Sequence, residues 1–240
     1  MEALVNPHVL DVSPYKPGRP VEEIQREYGL KRVVKLASNE NMLPVPPHVR
    51  RAIRAELDQL QYYPDSDNYA LRRRIAEYNG VGMDSVIVGA GSVELIQMLI
   101  RTFLKPGQTV LTSEKTFSLY KSATIEHAGR AAFVEAPMDA GLRFDLEAIA
   151  ARIDAAAKII FLTNPNNPTG TLLGGRAVRS FIARVPADRI VVLDNAYQEY
   201  VDDPGDYVTG LDEIRSRRNV VVLRTFSKVY GLAGLRVGYA

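Results

Sequence analysis

Lys228 is the residue of this 240-residue chain with the most to offer chemically. It follows the apolar run Val220-Val221-Val222-Leu223 by way of Arg224-Thr225-Phe226-Ser227, with a glycine-bearing turn and Arg236 beyond it. An isolated lysine is ordinarily a solvated surface charge. One set after a buried strand, among hydroxyls and near a second cation, is where an amine becomes nucleophilic enough for Schiff-base chemistry. Asp194 closes another apolar run, Ile190-Val191-Val192-Leu193. A carboxylate there is partly buried and needs a cationic or donor partner to stay ionised. A protonated pyridine nitrogen meets that need, and so does a capping role at a turn; the residue types leave both open. Tyr197, shortly after, adds a phenol able to donate to a ligand oxygen.

Two loops add to this set. Gly89-Ala90-Gly91-Ser92 lies between the run Val86-Ile87-Val88 and the helical start Val93-Glu94-Leu95-Ile96. Glycines there allow close backbone approach, and the free N–H groups of a helix start can hold an anion such as a phosphate. A plain strand-to-helix turn explains the same residues. After Ile159-Ile160-Phe161-Leu162 comes Thr163-Asn164-Pro165-Asn166-Asn167-Pro168-Thr169-Gly170. Its prolines and glycine rigidify a loop at a strand end, and the clustered asparagines read as hydrogen-bonding groups turned toward a ligand.

These residues share a position: each follows a short apolar, β-branched run. Such runs recur at 86–88, 109–112, 132–134, 159–162, 190–193 and 220–223, and Gly234 to Ala240 reads as one more strand. Helical patterns at about 92–104, 117–128, 145–153, 174–184 and 210–218 fall between them. The alternation predicts a three-layer α/β/α fold with a mostly parallel sheet, its strands apolar because helices cover both faces. In such sheets ligands bind beyond the carboxyl ends of the strands. Residues 1–20, broken by Pro7, Pro14, Pro17 and Pro20, predict an extended arm lying on another surface, a partner subunit included. The arginines at 50, 51 and 54, and at 72, 73 and 74, predict solvated helix faces.

Composition bounds the partners. Thirty Lys+Arg against 28 Asp+Glu, spread along the chain, give neither a nucleic-acid nor an anionic-membrane surface. No stretch approaches the ~20 apolar residues that span a bilayer, and the N-terminus lacks the pattern of a signal peptide. The absence of cysteine removes disulfides, thiolate metal sites and cysteine nucleophiles, and fits a cytoplasmic setting. His8, His48 and His127 are too scattered for a metal site.

With Gly231-Leu232-Ala233-Gly234-Leu235-Arg236-Val237-Gly238 after Thr225-Phe226-Ser227-Lys228, the chain resembles the fold-type I, class II pyridoxal-phosphate aminotransferases. Ser38-Asn39-Glu40-Asn41, Tyr62-Tyr63-Pro64-Asp65 before Tyr69-Ala70-Leu71-Arg72, Gly91-Ser92, Asn166 to Gly170, and Asp194-Asn195-Ala196-Tyr197 follow in the order and spacing of histidinol-phosphate aminotransferases. The resemblance covers nearly the whole chain. It implies pyridoxal 5'-phosphate as cofactor, with Lys228 as the Schiff-base lysine and proton shuttle and Asp194 on the pyridine nitrogen. Asn167 and Tyr197 fall on the ring oxygen and Phe117 on the ring face. Ser92, the N–H of Val93, Thr225, Ser227 and Arg236 fall on the phosphate, joined by Tyr63 from the second subunit of a homodimer. Tyr15, Asn41 and Asn167 fall on the substrate side. The reaction implied is amino transfer between histidinol phosphate and 2-oxoglutarate in histidine biosynthesis.

The alternatives within the fold are an aromatic amino-acid aminotransferase and a threonine-phosphate decarboxylase. From other classes come a non-catalytic phosphate-binding module and a truncated remnant. Val93 stands where the subfamily often carries an acid, and Asn195 where it carries Glu. The resemblance also implies a division into an arm with part of a small domain (1–35) and the cofactor-binding large domain (36–240). The remaining small domain, with the arginine for the substrate carboxylate, is expected beyond this sequence.

Overall fold

A computed structural model describes residues 4–13, 18–217 and 219–240. Its centre is a seven-stranded sheet in the order β1-β7-β6-β5-β4-β2-β3. The strands are β1 (Val88–Gly89), β2 (Thr109–Ser113), β3 (Phe133–Ala136), β4 (Ala157–Thr163), β5 (Ile190–Asp194), β6 (Val220–Thr225) and β7 (Gly238–Tyr239). From β3 to β6 all pairings are parallel; β7 runs antiparallel to both β6 and β1. The helices are α1 (Pro7–Leu10), α2 (Val21–Tyr28), α3 (Pro47–Ala55), α4 (Tyr69–Asn79), α5 (Gly91–Phe103), α6 (Leu119–Ala128), α7 (Leu146–Ala150), α8 (Gly175–Arg184) and α9 (Leu211–Ser216).

The two-residue period of the strands divides the core into two layers. Val110, Ile159, Phe161 and Val192 face α5 and α6, packing with Leu95, Ile96, Ile100 and Tyr120. Their neighbours Leu111, Ile160, Leu162, Val191 and Leu193 face the other way, onto Ile149 of α7 and Val178, Phe181 and Ile182 of α8. Both faces of the central strands are covered, as their unbroken apolar runs predict.

The expected architecture holds, with local differences. The first strand is regular at Val88–Gly89, and its pairing reaches back to Ile87, which exchanges two backbone hydrogen bonds with Ala240 (2.9 Å each). At the chain's end only Gly238–Tyr239 form a strand, because Ala233–Leu235 turn as a 3₁₀ helix and Arg236 takes a left-handed backbone, φ 55°. Helices α2 and α3 have no buried residue. Arg50, Arg51 and Arg54 are exposed on α3, as expected. Arg72 departs from the solvated reading: its guanidinium donates to the carbonyls of Val86 (2.9 Å) and Met83 (2.9 Å) and to Asp67 (2.6 Å), tying α4 to the entry of β1. Among the described residues no helix is long and apolar enough to cross a membrane.

Candidate active site

Parallel strands place their last residues along one edge, and this edge gathers the residues singled out by type. Thr163 ends β4, Asp194 ends β5 and Thr225 ends β6, with Thr163 and Asp194 directly paired. All three line a single cavity. Asp194 is 3% exposed. One carboxylate oxygen accepts the Tyr120 hydroxyl at 2.6 Å, and the other accepts the Ala196 N–H at 3.2 Å. Burial raises this carboxyl above its ordinary range, while the donors Tyr120 and Ala196 and the charge of Lys228 offset part of the rise. Its two donors leave acceptor capacity on the cavity side, so the site favours a cation or an N–H donor there.

The opposite requirement is met at the start of α5. The first N–H groups of a helix have no intrahelical acceptor. Glu94 takes the Ala90 N–H at 2.6 Å, and Gly91, Ser92 and Val93 border the cavity. Gly91 has φ 76°, and a Cβ there would lie 2.8 Å from Nη2 of Arg236, so bare backbone is what lets the guanidinium lie across the helix start. Ser227 and Thr225 complete this wall. The Ser227 N–H donates to Thr225 Oγ1 at 3.1 Å, fixing the turn out of β6. Arg236, the helix N–H groups and the three hydroxyls of Ser92, Thr225 and Ser227 make a cradle for a phosphate-sized anion.

Lys228 stands between the two. Its ammonium donates to the Ser38 carbonyl at 3.4 Å and lies 5.4 Å from the centre of the Tyr197 ring. Tyr197 accepts from Asn39 Nδ2 at 3.0 Å. Phe117 supplies an apolar wall together with Ala196. The cavity thus joins an amine, a buried carboxylate, a phenol, an aromatic face and an anion cradle. Those are the groups a flat, phosphorylated pyridine aldehyde requires. Asn167 and Tyr197 are shared with a second cavity of about 650 Å³, bordered also by Asn39 and Glu40, which gives room for a further reactant.

The loop after β4 corrects one expectation. Asn164 is spent on Leu173, donating to its carbonyl (3.2 Å) and accepting its N–H (2.8 Å). Asn166 accepts from Thr116 (2.8 Å) and donates to the Lys115 carbonyl (3.1 Å) and Thr169 (2.8 Å). Both are buried and hold the loop's own shape, with Asn166 also at the edge of the second cavity; Asn167 borders both cavities.

Of the other site residues named from sequence, Asn41 braces the lysine turn, donating to the Val229 carbonyl at 2.8 Å and accepting from the Leu43 N–H at 3.0 Å. Tyr63 is fully exposed and not brought to the cavity. Tyr15 lies outside the described residues. Asn195 turns away from the cavity, donating to the Thr209 carbonyl at 2.8 Å. Sequence reasoning gave no role to Tyr120 and Thr163. A tyrosine within a helix reads as core, which Tyr120 also is, and its hydroxyl contact with Asp194 joins residues 74 apart.

The sequence model of the family "Aminotransferase class I and II" matches residues 31–240. The histidinol-phosphate aminotransferase of Anaeromyxobacter sp. is 50% identical over 98% of this chain, and that of Moorella thermoacetica 44% over 96%. The chain spans 64% and 59% of their lengths. The crystal structure of a Sinorhizobium meliloti histidinol-phosphate aminotransferase in complex with pyridoxal-5'-phosphate superposes with a TM-score of 0.87, at 29% identity, over 99% of this chain and 62% of that one. A Porphyromonas gingivalis L-threonine-O-3-phosphate decarboxylase shares the fold at TM-score 0.69 and 24% identity, over 82% of this chain and 59% of that one. The architecture is therefore that of the fold-type I enzymes, and by sequence the chain belongs to the class I and II aminotransferase family.

Proposed function

We propose that the chain binds pyridoxal 5'-phosphate and takes part in amino transfer, with histidinol phosphate as donor and 2-oxoglutarate as acceptor, in histidine biosynthesis. The observation that carries the reading is the convergence in one cavity of Lys228, the buried Asp194 and the cradle at the start of α5. When bound, the cofactor supplies an electron-accepting ring conjugated to the reacting carbon. The chain's own part is as follows. Arg236, Ser92, the Val93 N–H, Ser227 and Thr225 hold the phosphate. Asp194 keeps its negative charge against the ring nitrogen, and Asn167 and Tyr197 hydrogen-bond the ring oxygen beside Phe117. Lys228 would provide the attachment point, and its free amine would accept and return a proton at the reacting carbon.

The names of the relatives support the donor assignment, and their 43–50% identity favours it over the decarboxylase, which shares the fold at lower identity. Residues 36–240 serve as the cofactor-binding domain and 1–35 as the arm and part of a smaller one. Tyr63, exposed beside Leu60 and Tyr62, lies on a patch suited to a second subunit, whose phosphate it would reach in a homodimer. A cysteine-free chain suits the reducing cytoplasm, where we place it.

The test is covalent. Incubation with pyridoxal phosphate, borohydride reduction and peptide mapping are expected to give one stable adduct, on Lys228. An adduct on another lysine, or none, removes the proposal. A donor panel of histidinol phosphate, phenylalanine and phosphothreonine then separates the substrates.

A further inference from the structure

We infer that Tyr120 is the positioning residue that keeps the Asp194 carboxylate ionised against the cofactor's ring nitrogen; this deepens the function proposed above and rests on it. Tyr120 is fully buried on α6. Its hydroxyl lies 2.6 Å from Asp194 Oδ2 and 2.9 Å from Thr163 Oγ1. A phenol has one proton to give, and a carboxylate outcompetes a hydroxyl for it. The proton therefore goes to Asp194, and Thr163 faces the phenol oxygen with its own hydroxyl. The ring is fixed from two sides, stacked on Phe161 at 4.3 Å and edge-on to Phe117 at 5.6 Å, so the donor is aimed before any ligand arrives.

The choice of a neutral donor matters. An arginine here would cancel the carboxylate's charge and weaken its hold on a cationic ring nitrogen. A phenol stabilises the anion and leaves the charge in place. It also stays protonated, because burial and the neighbouring Asp194 charge hold its pKa well above the ordinary tyrosine value. Between a buried carboxylate and a pyridine nitrogen, the proton rests on the stronger base. Each hydrogen bond donated to the carboxylate makes it the weaker one. Tyr120 thus biases the proton onto the ring, the state in which the ring draws electrons.

Tyr120→Phe removes the hydroxyl and retains the stacked ring. In the cofactor-free chain, the Asp194 carboxyl titration followed by carbon-13 NMR is expected to move up by about one to two pH units, the equivalent of one charge-assisted hydrogen bond. The buried hydroxyl of Thr124, on the same helix but bonded to the Tyr120 carbonyl at 2.6 Å, gives the control: Thr124→Val leaves the titration in place. With nitrogen-15-labelled pyridoxal phosphate bound, the ring-nitrogen resonance of the Tyr120→Phe protein is expected to shift toward its unprotonated position. Fluorotyrosine at position 120, a stronger donor of nearly the same shape, moves the carboxyl midpoint down, and so decides the matter even if the phenylalanine variant does not fold. An Asp194 midpoint unmoved by both changes, or moved equally by Thr124→Val, overturns the inference. Failure of pyridoxal phosphate to attach at Lys228 would instead remove the functional reading, and the carboxyl titration would still report whether Tyr120 holds Asp194 ionised.

Discussion

The turn carrying Tyr197 and the turn carrying Lys228 are joined by one carboxylate, and its removal is expected to destabilise the fold measurably. Glu199 accepts from the guanidinium of Arg224 and, at 3.2 Å, from the hydroxyl of Tyr230. Arg224 and Tyr230 bracket Lys228 in sequence, so both ends of the lysine turn rest on this side chain. The Arg224 side chain is 4% exposed and that of Glu199 18%. The guanidinium lies 5.8 Å from the centre of the Tyr239 ring. Glu199→Ala leaves a buried cation without its counter-charge, a loss of about 3–5 kcal/mol. The partial exposure of Glu199 puts the expected value near the lower end, about 3 kcal/mol. For a chain of this size that is a fall in Tm of about 6–12 °C. Urea unfolding, followed by circular dichroism, should show a lower midpoint with unchanged slope. Replacing both partners by apolar residues, as in Glu199→Leu with Arg224→Met, should recover most of the loss, since no charge is then left buried alone. A Glu199→Ala change below about 1 kcal/mol, or a double variant as unstable as the sum of the singles, refutes the reasoning.

Two further outcomes follow from the cavity walls. Burial raises the folded-state carboxyl of Asp194, so the cost of its charge appears as pH rises from the unfolded value through the raised folded one, and is constant above that. Asp194→Asn should therefore make the cofactor-free chain more stable at pH 8, by about 1.4 kcal/mol for each unit of displacement, with no advantage once both forms are protonated; equal Tm values across the pH range would count against it. At Gly238 a Cβ would meet the Gly91 carbonyl carbon and the Ser92 nitrogen at 2.6 Å each, pushing β7 from the start of α5. Gly238→Ala should weaken pyridoxal phosphate binding about tenfold or more, about 1.4 kcal/mol, and leave unphosphorylated pyridoxal nearly unaffected, as read by absorbance titration; equal losses would place the damage elsewhere than the cradle.

The sheet was legible in the sequence because its strands are apolar on both faces and set off by turn residues. The run 159–162 and the helical pattern 174–184 reappear as β4 and α8 with small shifts at their ends. The strand-end residues were legible for the same reason: once Asp194 and Lys228 are seen to follow buried runs, parallel pairing brings them to one edge. What was not legible is how each polar group is spent. Asn164, Asn166 and Asn167 look alike in sequence, yet Asn164 and Asn166 close a loop, and of the three Asn167 alone borders both cavities. The same holds for Arg72, which reads as a surface charge beside Arg73 and Arg74 but ties down backbone carbonyls instead. Such differences depend on which partner each side chain meets in the folded chain, near in sequence, as Thr169 is for Asn166, or far, as Lys115 is, and residue type alone carries no signal for that choice.

Those contacts also separate a cofactor site from a simple anion site. An anion alone answers the cradle of Gly91, Ser92 and Arg236, and nothing else in the cavity requires it. Yet the unfavourable features near the cavity extend past the cradle. Asp194 is a buried carboxylate with only neutral donors, Tyr120 and Ala196, in hydrogen-bond contact. Ser38 and Asn39 hold left-handed backbones, φ 68° and 51°, each costing on the order of 1 kcal/mol. Their partners in that conformation are Lys228, which donates to the Ser38 carbonyl, and Tyr197, which accepts from Asn39. Arg236, also left-handed, is the cradle's cation. Local costs persist where the surrounding structure enforces them, and Ser38, Asn39 and Arg236 are three such positions beside the cavity. A ligand that answers the whole cavity must carry a phosphate for the cradle, a basic nitrogen for Asp194 and a carbonyl within reach of Lys228. A bare phosphate answers only the first.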